Sequence, residues 1–418
     1  EFRRVLFRSG GNLRLGFKTT AGTKWLFEAA QVTTRYRPGE MLYAVRDPLL
    51  GAEGILNVTL LALSDSEGLI VRTELTGGTV PVELVWAYGG VTGQRGVRDG
   101  DIGTESVPIS EYFQLKPEFC RNNTFTLADR VFTLRSTAAT IAGLAPAGTT
   151  LAVADANRWA SWDALLASAS GGMPELPVVI GRVALPAGQP LFLALERAPA
   201  GTGATAQPFP ADQLPAVFAA TELHFKQLRE SVQVETPDPF LNAAVGALNV
   251  AVDAVWDESQ GAVMHGAVAW RQRLLGWRGP YAQDALGWHD RARRNFETWA
   301  PRQNTNAIPE RLPPPEEATN LARSEAALHS NGDLSNSHYD MNAVYIDALF
   351  RHLQWTGDLE FARKMWPVIE RHLAWERRLF RRPFGPDGLL YVSHRAHGFG
   401  PVEGLGEVIR VDVGSGCQ

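Results

Sequence analysis

Residues 265–299 read HGAVAWRQRLLGWRGPYAQDALGWHDRARRNFETW, and the fold of the second half of the chain turns on them. A Gly-Trp-Arg-Gly-Pro turn interrupts a helical pattern here. Proline fixes φ and is at home in the first turn of a helix, so a helix restarts behind it. The spacing predicts that helix over 283–300. Asp284, His289, Asp290 and Arg291 then fall close together beside Trp277 and Trp288. Carboxylates, an imidazole, guanidiniums and flat indole faces suit a pocket that binds and cleaves sugars; an apolar core helix does not need them. A second polar cluster, Ser337-His338-Tyr339-Asp340-Met341-Asn342, opens the next helix, and we read the two clusters as parts of one pocket.

Working outward, helical periodicity continues on both sides. Residues 342–355 form a helix stopped by Gly357, and 359–380 form another with Asp358 at its N-cap. Ala362, Trp366, Ile369, Leu373 and Phe380 share one face of the latter; Pro367 inside it predicts a kink or a restart. Upstream, Leu241, Val245, Leu248, Val252 and Val255 predict a helix over 239–257, capped by Thr236 or Asp238. Residues 216–231 read as a connecting helix, and the polar loop over 302–337 is long enough to suggest function.

The first half has period 2. Leu56, Val58, Leu60 and Ala62 alternate, as do Leu69, Val71, Thr73 and Leu75, then Val80, Val82, Leu84 and Trp86. Gly77-Gly78 and Gly89-Gly90 punctuate the runs, and 161–169 read as a short helix. Many such strands predict an antiparallel β-sandwich over 10–200. It shows no catalytic constellation. The Ala-, Gly- and Pro-rich stretch APAGTGATAQPFPADQLP marks a boundary, so 201–236 serve as linker and linker helix and 237–418 as a helical domain.

Composition agrees. A chain of 418 residues exceeds what one core usually serves. A net charge of −5, from 40 basic and 45 acidic residues, gives no pull toward nucleic acid or an anionic membrane, and neither is expected as a partner. No apolar run approaches the ~18 residues of a membrane span. Cys120 and Cys417 are too few for a disulfide framework or a metal site. His338-x-Asp340 alone is a weak metal signal, so no metal or other cofactor is expected. Residues 1–9, EFRRVLFRS, resemble a translated sequencing adaptor and lack the apolar segment of a signal peptide; they are left out of the fold reading. Residues 394–418 lose the helical period, so a loop, a truncation or a frame error would each fit them.

The order of β-sandwich, linker helix and paired helices resembles the six-hairpin glycosidases, whose second domain is an all-α (α/α)6 toroid. RQRLLGWRGPYAQDALG (271–287) resembles the R-x-x-x-x-G-W-x-G-D region of the α-L-rhamnosidases of glycoside hydrolase family 78, and WTGDLEFARKMWPVIERHLAWE (355–376) a helix step of that clan. The nearest likeness is to the uncharacterised bacterial domain-of-unknown-function family 4450. Two departures stand out. Gln272 sits where the rhamnosidase pattern has its acid, and Pro280 to Gln283 separate Gly279 from Asp284. Four helices over 237–418 imply a toroid truncated at the C-terminus, with the clan's usual second carboxylate on a later helix.

The resemblance implies a glycosidase acting on plant or microbial glycans, periplasmic or extracellular in a bacterium. Inverting hydrolysis needs two carboxyls separated by roughly 6.5–9.5 Å. Asp284 and Asp340 are the catalytic candidates. Both also fit the ordinary role of an acid at a helix start. Trp277, Arg278, Trp288, His289, Asp290, His338, Tyr339 and Asn342 are the substrate-binding candidates, although the indoles serve core packing equally well and Asp290 can pair with Arg294. A polysaccharide lyase using Tyr339 or His338, and a glycan-binding protein without catalysis, are the competing functions.

Overall fold

The computed structural model describes residues 10–92, 114–137, 139–169, 172–197, 212–264, 280–308, 334 and 339–380; the side chains of 339–343 and 375–380 lie outside the description. Contacts divide the chain into two compact units, Glu1–Val250 and Ala251–Gln418.

The first unit is antiparallel β. Its strands are β1 (Gly10–Thr19), β2 (Gly22–Trp25), β3 (Gln31–Arg37), β4 (Glu40–Arg46), β5 (Ile55–Ala62), β6 (Gly68–Thr76) and β7 (Glu83–Val91). There follow β8 (Thr124–Ala128), β9 (Val131–Arg135), β10 (Thr140–Leu144), β11 (Thr150–Asp155), β12 (Pro177–Ala184) and β13 (Leu191–Arg197). One sheet has the order β11-β12-β7-β1-β2 and the other β3-β4-β5-β6-β13-β10-β9-β8. Their facing sides share one core. Phe17, Leu84, Trp86 and Tyr88 come from the first sheet, and Leu56, Val58, Val71 and Leu75 from the second. All of these but Phe17 and Tyr88 are alternating residues read from the sequence, turned inward by the pleat. The third run starts at Glu83 rather than at Val80.

Two glycines let aromatic rings lie flat on neighbouring backbone. Gly181 is the register partner of Trp86, and a Cβ there would meet the indole at 2.2 Å. Gly143 faces Phe132 in the same way, at 2.1 Å. Trp86 and Phe132 then pack with centroids 5.6 Å apart between the sheets.

Both outer faces are also covered. Helix α1 (Trp162–Ser168), capped by Ser161, buries Trp162 and Leu165 with Val85, Ala87, Val178 and Ile180. Helix α2 (Leu214–Arg229) lays Leu214 and Phe218 over Leu61, Ile70, Leu144 and Ala194. Arg229 of α2 reaches the buried carboxylate of Glu40 at 2.6 Å. Asp47 is likewise buried and fully engaged. It accepts from Lys24 at 2.8 Å and from the amides of Ala30 and Leu49 at 2.9 and 3.0 Å.

Helix α3 (Pro239–Ala254) starts on Asp238, whose carboxylate accepts from the Phe240 amide at 2.8 Å. It ends before the expected 257. Asp257 accepts from the Ser259 hydroxyl at 2.6 Å and the Gln260 amide at 3.1 Å, which folds a turn. That turn joins β14 (Trp256–Asp257) to β15 (Ala262–Val263).

In the second unit the expected helix over 283–300 is two helices, α4 (Pro280–Ala285) and α5 (His289–Trp299). Gly287 at φ +75° makes the break. Its amide donates to Asp284 O at 3.0 Å and the Trp288 amide to Gln283 O at 2.8 Å, the paired bonds of a Schellman ending. Asp284 therefore closes a helix instead of opening one. Helix α6 (Tyr339–Thr356) starts earlier than predicted and ends on Gly357 at φ +65°, whose amide donates to Leu353 O at 2.9 Å. Asp358 caps α7 (Leu359–Phe380), accepting from the Phe361 amide at 2.9 Å. Pro367 sits within α7 without ending it. The buried face of α7 is Phe361, Met365, Ile369 and His372; of the predicted face Ile369 is buried, while Trp366 and Leu373 are exposed.

Contacts fix the helix directions. His289 meets His352 and Phe296 meets Tyr345, so α5 and α6 are antiparallel. Asp358 pairs with Arg293 and Lys364 with Glu297, so α5 and α7 run the same way. No described helix is long and apolar enough to cross a membrane.

Candidate functional site

The site lies where α5 and α7 begin and α6 ends. His289 opens α5, His352 is in the penultimate turn of α6, and Asp284 is in the last turn of α4. Asp284 is buried, with Nδ1 of His289 2.9 Å from its Oδ1. Nδ1 of His352 lies 2.9 Å from the same oxygen and 3.0 Å from Oδ2. His352 has no exposed surface, and its ring sits edge-on to Phe361 at 5.4 Å and tilted against Phe296 at 5.5 Å. Its Nε2 has no hydrogen-bond partner among the described residues. His289 differs: its side chain is 40% exposed.

Asp284 also lines an open pocket of about 610 Å³ with Tyr281, Arg351, Gln354 and Trp355. Tyr281 donates to Asp347 at 2.6 Å, and Arg351 donates to the same oxygen at 2.9 Å while lying over the Tyr281 ring. Burial, and then this bond to Asp347, push the Tyr281 phenol well above its usual range, so it remains a donor. Trp355 is 64% exposed, an indole presented to solvent on the pocket wall. A flat apolar ring, a carboxylate, an amide and a guanidinium together can stack on a ring and exchange hydrogen bonds with hydroxyls.

Asp284, His289 and His352 offer three ligand atoms within 4.8 Å of one another. Bonds of about 2.0–2.2 Å at tetrahedral angles would put two ligands of one metal about 3.3 Å apart or more. The two 2.9 Å separations are hydrogen-bond lengths instead.

Of the candidates from the sequence, the structure joins Asp284 and His289. Trp277, Arg278 and His338 lie outside the described residues. Tyr339, Asp340 and Asn342 are on the first turn of α6, with side chains outside the description. Helix geometry nonetheless decides one point. Asp340 and His352 are twelve residues apart on one helix, about 18 Å of rise. Asp284, bonded to His352, is thus at one end of α6 and Asp340 at the other. The two polar clusters are thus about 18 Å apart in backbone rise along α6. Trp288 is half-buried, with the Arg291 guanidinium 4.7 Å over its ring, and Asp290 is exposed in the first turn of α5. Arg294 pairs with Glu258 at 2.5 Å, in place of Asp290.

His352 and Trp355 escaped the sequence reading. The trace of His352 was an imidazole in the apolar row Tyr345, Ile346, Leu349; that of Trp355 was its i,i+4 spacing from Arg351.

The family model described as Domain of unknown function (DUF4450) matches residues 6–222. The chain belongs to the DUF4450 family. The matched segment falls within the β unit, so membership describes that unit and leaves the pocket of this DUF4450 chain to its own geometry. No curated protein matches the chain. Among solved structures it is similar to a bacterial glucoamylase complexed with acarbose, with 9% identity and a TM-score of 0.35. That likeness covers 89% of this chain and 63% of the other, so the DUF4450 chain spans less than two thirds of its length. A TM-score that low establishes no shared site.

Proposed function

We propose that this DUF4450 chain acts on carbohydrate, as a glycoside hydrolase of the six-hairpin class, with the sugar held in the pocket of the second unit. The observation that carries the reading is Trp355, an exposed indole on the same wall as the Asp284 carboxylate. Tyr281, Arg351 and Gln354 supply polar groups around it. The antiparallel order of α5, α6 and α7 is the step from which an (α/α)6 toroid is built, and the resemblance of 271–287 and 355–376 to that clan points the same way.

Asp284 is the centre of the proposed chemistry. Inversion requires a second carboxyl roughly 6.5–9.5 Å from it, and Asp340 is the one proposed from the sequence. The glycans proposed are those of plants or microbes, met in a bacterial periplasm or outside the cell.

The test is a panel of aryl glycosides and plant and microbial polysaccharides, scored for reducing ends and for unsaturated, ultraviolet-absorbing products. Reducing ends without absorbance are expected from at least one substrate. Asp284→Asn should then lower turnover by about 10²–10⁴-fold, the range of acid–base effects, with an unchanged circular dichroism spectrum. Absorbing products would make the protein a lyase. Binding without any product would make it a glycan-binding protein, and neither binding nor product would reject the carbohydrate reading.

A further inference from the structure

We infer that Asp284 fixes His289 and His352 in one tautomer, and so makes Nε2 of His289 a lone-pair acceptor at the rim of the pocket. Both imidazoles present Nδ1 to the carboxylate at 2.9 Å. A carboxylate can only accept, so each Nδ1 carries the hydrogen, and in the neutral ring Nε2 keeps its lone pair.

The two rings then differ in what that lone pair can reach. Nε2 of His352 is enclosed and without a partner among the described residues, packed with Phe296 and Phe361. His352 is therefore a positioning residue, holding the carboxylate from the core side. His289 is 40% exposed, and the described residues show no hydrogen bond to its Nε2. The group it suits is an O–H donor, either a water or a hydroxyl of the ligand. An Nδ1–H bound to an acidic oxygen is the arrangement in which a carboxylate sets an imidazole's tautomer. The inference rests on the carbohydrate reading only for the identity of that hydroxyl.

The test needs no sugar. Full-length protein labelled with ¹⁵N-histidine is examined by long-range ¹H–¹⁵N correlation near pH 8, with His289 and His352 assigned through His289→Gln and His352→Gln. Both rings are expected as the Nδ1–H form, whereas free histidine favours Nε2–H. Asp284→Glu should retain that form in at least one ring, and Asp284→Asn should release His289 to the Nε2–H form. An Nε2–H ring at either position in the unsubstituted protein would overturn the inference. So would one equivalent of Zn²⁺ binding tightly and shifting both rings together, which would make the cluster a metal site. Failure of the glycan screen leaves this spectrum unchanged, so the two readings fail separately.

Discussion

At the scale of single residues, Asp47 shows what a buried charge contributes to the β unit. Burial alone would raise its pKa. The Lys24 ammonium and the Leu49 and Ala30 amides outweigh that and hold it below the usual carboxylate range. A carboxyl whose folded pKa lies below its unfolded value of about 3.9 stabilises the fold above that pH and ceases to as pH falls through the folded value. Asp47→Asn should therefore cost about 1.5–3 kcal/mol at pH 7, the range for a hydrogen bond to a charged group. Urea unfolding at pH 7 and below pH 3 checks it: the gap between the two proteins should narrow in acid. A gap independent of pH would assign the cost to packing. Individual roles of this kind were hard to read from the chain. His352 looks like one polar interruption in an apolar row, and what makes it a site residue is Asp284, 68 positions away.

At the scale of elements, sequence and structure agree wherever one local rule decides. Asp238 and Asp358 each cap the helix they precede. The disagreement at 283–300 came from a competing local rule. Hydrophobic spacing runs through that stretch, but Gly287 can take positive φ and close a Schellman ending, and the backbone follows the glycine. Gly287→Ala should thus destabilise the second unit by about 1–2 kcal/mol, the cost of a left-handed residue with a Cβ, although open space surrounds the position. A thermal melt reads this directly, and an unchanged or raised midpoint would show that the break between α4 and α5 does not depend on it. The exposure of Trp366 and Leu373 on α7 has another source. Trp366 and Leu373 repeat at heptad spacing as well as the core residues do, and spacing does not say which apolar row meets the neighbouring helix.

At the scale of the whole molecule, the change from period 2 to helical period was legible because it follows from how side chains alternate on strands and recur on helices. Less legible was the covering of both sheets on their outer sides. Strand β7 reads LVWAY without a polar interruption because Leu84, Trp86 and Tyr88 face the central core while Val85 and Ala87 meet the layer beneath α1. A continuous apolar run of this kind marks a strand buried on both faces. The candidate site was legible as a region and not as a geometry. The carboxylate and the first imidazole were found from their neighbours in sequence; the second imidazole and the exposed indole arrive from α6 by folding.

Trp355 offers the most direct trial of a sugar pocket in the second unit, because it is exposed and its removal leaves no hole in the core. Calorimetric titration of the unsubstituted protein and of Trp355→Ala with the glycan selected by the screen is the deciding measurement. The account predicts binding that weakens by at least about 5-fold in the variant, a loss of about 1 kcal/mol or more as for an aromatic anchor, with an unchanged melting midpoint. Equal affinity in the two proteins would place the carbohydrate elsewhere and contradict it.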